Sequence, residues 1–126
     1  MEGKKFLALN DIAAYKIGFQ LSNYVWGIVR QWDYVSQRTV GIQFISAADS
    51  ISSNIAEGFG RYGKKDKIKF YNYSFGSVYE SLDWNEKSRI RSLTTTKQYQ
   101  HIFQELKGLP REIHHLIKFT NEKLTT

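Results

Sequence analysis

The sequence predicts an all-α protein: an antiparallel up-down-up-down four-helix bundle, one domain over residues 1–126. Three observations carry this. Apolar residues recur at three- and four-residue steps along four long runs, with almost no period-two alternation. Only one proline, Pro110, interrupts the chain. The breaks between runs are short, and short links between long helices make antiparallel neighbours.

The first helix is expected over about 11–32, with Asn10 or Asp11 as its N-cap. Ala14, Ile17, Leu21, Tyr24, Val25, Ile28 and Trp32 form its core stripe, and Tyr15, Phe19, Trp26 and Val29 a second stripe beside it. A helix with two apolar faces is either deeply buried or shared with another subunit. A small bundle has few interior helices, so Tyr15, Phe19 and Trp26 are assigned to an oligomer interface.

The second helix, about 39–58, has the core face Val40, Phe44, Ala47, Ala48, Ile51 and Ile55. Ser46, Ser50, Ser52 and Ser53 keep its other surfaces small, which lets a neighbour come close. Gly58 is expected to end it with a left-handed cap. The third helix, about 64–91, steps through Ile68, Tyr71, Phe75, Val78 and Leu82 as one bundle seam. The stretch "SLTTTK" supplies a turn and a threonine cap. The fourth helix, about 95–124, carries Tyr99, Ile102, Leu106, Leu109, Ile113, Leu116, Ile117, Thr120 and Leu124. Pro110 removes a backbone donor and crowds the preceding turn, so this helix is expected to kink or break near Gly108–Pro110.

Composition narrows the function. The chain has no cysteine, which excludes disulfides, thiolate chemistry and cysteine-based zinc sites. No apolar run approaches the ~18 residues of a membrane span, and the start is too short in apolar residues for a signal peptide. The expected location is cytoplasmic, with no membrane partner. The net charge of +6 favours acidic partners, nucleic acid first.

Catalytic motifs are missing. Glu112-Ile113-His114-His115 contains Glu-x-x-His, but a di-iron bundle needs a second copy, and Gln98 stands where His101 would need its glutamate. "GFGRYG" has glycine-loop spacing but follows a helix, not a strand. Glu80, Asp83 and Glu86 fit a solvated helix face. No enzyme, metal or cofactor is expected.

The stretch "SNIAEGFGRYGKKDKIKF" is the main lead. Arg61, Lys64, Lys65, Lys67 and Lys69 face only Asp66 between positions 61 and 69. Such a cluster is either a solvated helix start or a phosphate track. Cations at a helix N-terminus oppose the macrodipole, whereas an anion among them meets both side-chain charge and open N–H groups. Tyr62 either stacks on a base or packs over the turn. Phosphates, not base sequence, are the expected target.

Residues 47–82 resemble a known family. Asn54-Ile55-Ala56-Glu57-Gly58 followed by Gly60-Arg61 is the strongest marker, supported by Ala47-Ala48, Lys64-Lys65, Phe70, Gly76-Ser77 and Glu80. The stretch is similar to the bacterial four-helix-bundle proteins of 23S rRNA intervening sequences, related to the accessory variability determinant of diversity-generating retroelements. The resemblance implies a bundle that often assembles as a homopentamer. In the retroelement branch it implies binding of RNA or DNA and of a reverse transcriptase through a basic surface. The chain departs from the family pattern at Ile45-Ser46, where basic residues are usual, at Asp49, where an aliphatic is common, and at Gly63, where a serine cap is usual.

Within this motif Gly58 and Gly60 are expected to turn a helical hairpin. Asn54 is expected to pin it by bonding to the loop or third helix, and Glu57 to pair with Arg61 or Lys64. The leading expectation is a non-enzymatic oligomer binding nucleic acid through this hairpin, with Arg89 and Arg91 as extensions. The alternative is a protein–protein adaptor or scaffold with no nucleic-acid role.

Overall fold

Apolar periodicity and capping chemistry set four helices, described over residues 8–124 of a computed structural model. A short 3-10 turn, Leu9–Asp11, leads into α1, Ala13–Val29. The Asp11 carboxylate accepts from the Ala8 N–H at 2.8 Å and closes that turn. Helix α2 is one continuous rod of three segments: Tyr34–Ser36, a π-turn Gln37–Gly41, and Ile42–Gly60. Helix α3 spans Lys64–Ile90 and α4 spans Thr96–Lys123. They pack as an antiparallel four-helix bundle, α2 against α1 and α3, with α4 closing on α3 and α1.

The expected core faces of α1, α2 and α4 largely hold. Leu21, Val25, Phe44, Ala48, Ile51, Ile55, Ile102, Leu106, Leu109 and Ile113 form one buried cluster. Ile17 and Tyr24 on α1, and Trp32 just beyond its end, pack at the cluster's edge instead of inside it.

The α1–α2 link differs from expectation. Helix α1 stops at Val29, and α2 starts at Tyr34, well before position 39. Asp33 is the reason: its carboxylate accepts from the Ser36 N–H at 3.1 Å and caps the new helix. The Gln37 amide then donates to the Val29 and Arg30 carbonyls at 3.2 and 3.0 Å, satisfying the end of α1. The π-turn admits one extra residue, which shifts the phase of the apolar pattern there. A Cβ on Gly41 would stand 2.6 Å from Val29 Cγ1, so glycine is needed where the two helices meet.

Gly58 is not a left-handed cap. Helix α2 runs on to Gly60 and stops at Arg61, which is extended (φ −79°, ψ 151°). Among the described residues no glycine has positive φ; that geometry falls on Ser92 (φ 60°), between α3 and α4. There the Leu93 N–H donates to the Ser88 carbonyl at 2.8 Å and the Ser92 N–H to that of Arg89 at 3.1 Å, a Schellman stop. Gly58 serves a close approach instead: an added Cβ would lie 2.7 Å from Tyr71 Cε1 and 2.8 Å from the Lys67 carbonyl.

The α3 seam is also rotated. Tyr71 and Val78 are buried as expected, but Ile68, Phe75 and Leu82 are only half-buried. The interior face is polar and small: Ser74, Ser77, Ser81, Asn85 and Ser88. The Ser74 hydroxyl donates to the Ile51 carbonyl of α2 at 2.7 Å, so backbone approaches side chain directly across this interface. Helix α4 begins with a capping box, Thr95 Oγ1 accepting from the Gln98 N–H at 3.0 Å and Gln98 Oε1 from the Thr95 N–H at 2.9 Å. It continues through Pro110 without a break.

Candidate nucleic-acid interface at the α2–α3 hairpin

The hairpin is three loop residues, Arg61, Tyr62 and Gly63, between the end of α2 and the start of α3. Its five cations are local in sequence, but the fold gives them different tasks. Arg61 is held by Glu57 at 2.8 Å, lies 4.0 Å from Asp66, and has its guanidinium 4.6 Å from the centre of the Phe70 ring. Lys69 sits 3.9 Å from Asp66 and 5.4 Å from the same ring. All these side chains are about half exposed, so the pairs hold geometry more than they stabilise.

Lys67 is a structural residue. Its Nζ donates to the Phe59 carbonyl at 2.8 Å, one of the carbonyls a helix end leaves unpaired. Its ammonium also lies 5.5 Å from the Phe59 ring centre. Partial burial holds its pKa below the ordinary lysine value. Lys64 reaches across to the Asn121 carbonyl near the end of α4, at 3.4 Å. Lys65 is exposed and, among the described residues, has no hydrogen-bond or ion-pair partner in the chain.

Asn54 does not reach the loop or α3. Its amide donates to the Ser50 carbonyl at 2.9 Å, one turn back in its own helix. The ties between the two helices are Lys67 to Phe59 and Ser74 to Ile51. The sequence signal for the second was the run of small residues on both helices; the first had no signal beyond charge.

The remaining candidates stand elsewhere. Arg89 is taken up by Glu86, whose carboxylate also accepts from the Tyr99 hydroxyl at 3.0 Å. The Arg89 hydrogen bond, then that of Tyr99, holds Glu86 below the usual carboxylate range. Arg89 and Arg91 lie about 40 Å from the hairpin along α3 and do not extend one continuous track with it. On α1, Tyr15 is half-buried while Phe19 and Trp26 stand half-exposed, with the Tyr15 and Phe19 rings 5.8 Å apart. Trp26 lines a shallow cavity of about 200 Å³ with Val29, Arg30, Gln37 and Ile45. His114 rests against Phe75, and among the described residues no three histidine or acidic side chains converge as a metal site would need. No described helix is long and apolar enough to cross a membrane.

Fold and charge together define a basic, all-helical bundle protein whose α2–α3 hairpin carries a local surplus of positive charge. The chain belongs to the 23S rRNA-intervening sequence protein family, whose sequence pattern matches residues 10–115. Its fold is similar to the crystal structure of a protein of unknown function from the S23 ribosomal protein family of Bacteroides thetaiotaomicron. The TM-score is 0.75 at 17% identity, covering 84% of this chain and 99% of that one. No curated protein matches the chain.

Proposed function

We propose that this is a non-enzymatic, cytoplasmic, oligomeric protein that binds the phosphate backbone of RNA or DNA at the α2–α3 hairpin. One observation carries the reading: cations gather at the positive end of a 27-residue helix that has no side-chain cap, since Gly63 occupies the cap position. Alone, that placement is mildly unfavourable. With a phosphate bound, the side-chain charges and the open N–H groups act together. Five cations face two carboxylates, Glu57 and Asp66, leaving three positive charges over. Lys64, Lys65, Lys69 and Arg61 are the contacts; Lys67 supports the hairpin from within.

Phe19 and Trp26 support an assembly of several copies, and a homopentamer would set five hairpins in one array and raise avidity without new contacts. A reverse transcriptase as partner belongs to this reading only where the gene lies in a retroelement. Light scattering at micromolar concentration tests the assembly, and a monomer there would remove it.

Fluorescence anisotropy across a salt series tests the hairpin. Binding should weaken by about 0.7–0.9 log units per contact per log unit of salt. Replacing Lys64, Lys65 and Lys69 with glutamine should flatten that slope by roughly two units. No binding at low salt would overturn the reading. The shallow cavity beside Trp26 favours the alternative of a protein–protein adaptor, whose apolar interface would respond little to salt.

A further inference from the structure

Tyr62 occupies the apex of the hairpin and is 92% exposed, more than any other large apolar side chain described. Its neighbours in space show how unusual that is. The hairpin's other aromatic rings are covered by cations: Phe59 by Lys67, Phe70 by Arg61 and Lys69. Tyr62 takes part in no aromatic or cation–π pair among the described residues. The flanking backbone accounts for this. Arg61 and Gly63 are both extended, with ψ near 150°, so the chain carries Tyr62 outward from both helix ends. Lys64 and Lys65 follow in the chain after Gly63.

We propose that Tyr62 is a stacking platform for an unpaired base, so that the hairpin takes single-stranded nucleic acid in preference to duplex. This rests on the phosphate-binding reading above. Electrostatics alone points the other way: a duplex carries the denser charge, and each contact with it releases more counterion. A hairpin working only through its cations would therefore hold duplex at least as well. Stacking is available only where a base presents its face, and a duplex hides all but its terminal faces in its own stack. An aromatic–base contact is strong enough to reverse the electrostatic order. Every base has such a face, so the preference is for strandedness and not for sequence.

The test compares an oligothymidylate of about a dozen nucleotides with an abasic strand of equal length and with a duplex. Strand and abasic strand carry the same phosphates, so any difference between them belongs to the bases. The oligothymidylate should bind about tenfold tighter than the abasic strand, and tighter than the duplex. Tyr62→Ala should erase that difference while leaving the salt slope unchanged, and Tyr62→Phe should keep it. Because the ring is in solvent, the alanine variant should retain the helical circular dichroism of the parent. Equal, salt-steep binding of strand and abasic strand by the parent protein would overturn the stacking role and leave phosphate binding standing. A tenfold preference that survives Tyr62→Ala would remove Tyr62 from the role. No binding of any of the three at low salt would overturn both readings.

Discussion

Lys67 Nζ lies 2.8 Å from the Phe59 carbonyl, so a side chain from the first turn of α3 closes the last turn of α2. One of five clustered cations is thereby a structural bond. Lys67→Ala should cost about 1–2 kcal/mol, the range for a hydrogen bond from a charged donor that is partly in solvent. Lys65→Ala should change stability by less than about 0.5 kcal/mol. Urea unfolding of the two variants decides it; equal losses would mean that the bond contributes nothing particular.

Gly58 and Gly60 belong to the same motif but should behave oppositely. A Cβ at Gly58 meets Tyr71 and the Lys67 carbonyl, and the latter is backbone that cannot rotate away. Gly58→Ala should destabilise by about 1–3 kcal/mol, as overpacking does. A Cβ at Gly60 meets nothing within 4 Å, and its φ is not positive. Gly60→Ala should be neutral or stabilise by up to ~1 kcal/mol, since alanine loses less chain entropy in a helix. Thermal unfolding of both variants is the check.

Ser92 holds a left-handed conformation at φ 60° without glycine's freedom. Ser92→Gly should relieve about 1 kcal/mol of that cost, partly offset by the entropy of glycine in the unfolded chain. A rise in the urea midpoint is expected, and a fall would mean that the serine makes a contribution its backbone does not reveal.

Burial pushes the Tyr71 phenol up to about 12, against an ordinary value near 10. The folded state thus keeps the proton longer than the unfolded one. Stability linked to this group is complete below pH ~10 and is lost as pH rises from ~10 towards ~12, by about 2–3 kcal/mol in all. Tyr71→Phe should remove that part of the alkaline loss. Urea midpoints at pH ~9 and ~11 for parent and variant measure the difference.

Much of the fold was legible because α1, α2 and α4 bury apolar side chains, and Leu21, Ile51 or Leu106 announce their faces by period. Helix α3 was read through its apolar residues, yet Ser74, Ser81 and Ser88 occupy its interior while Phe75 and Leu82 stand at the rim. A hydroxyl facing a helix backbone leaves no hydrophobic trace, although Ser74, Ser77, Ser81, Asn85 and Ser88 together do recur at three- and four-residue steps. The start of α2 was hidden because the π-turn inserts a residue and puts Asp33 out of phase with the stripe it caps. At the hairpin, the charges were visible in the chain but their partners were not. Whether a lysine points to a carbonyl, as Lys67 does, or to solvent, as Lys65 does, depends on which backbone groups the fold leaves open beside it.

The small-residue contact between α2 and α3 has a mechanical consequence. Ser74 against Ile51, Tyr71 against Gly58 and Lys67 against Phe59 are three fixed marks along one pair of rods. Sliding either rod by a turn, about 5.4 Å, would set side chains where only a bare backbone fits. The pair is therefore indexed like a rule against its scale, and the tip that projects from it keeps a constant height and bearing on the bundle.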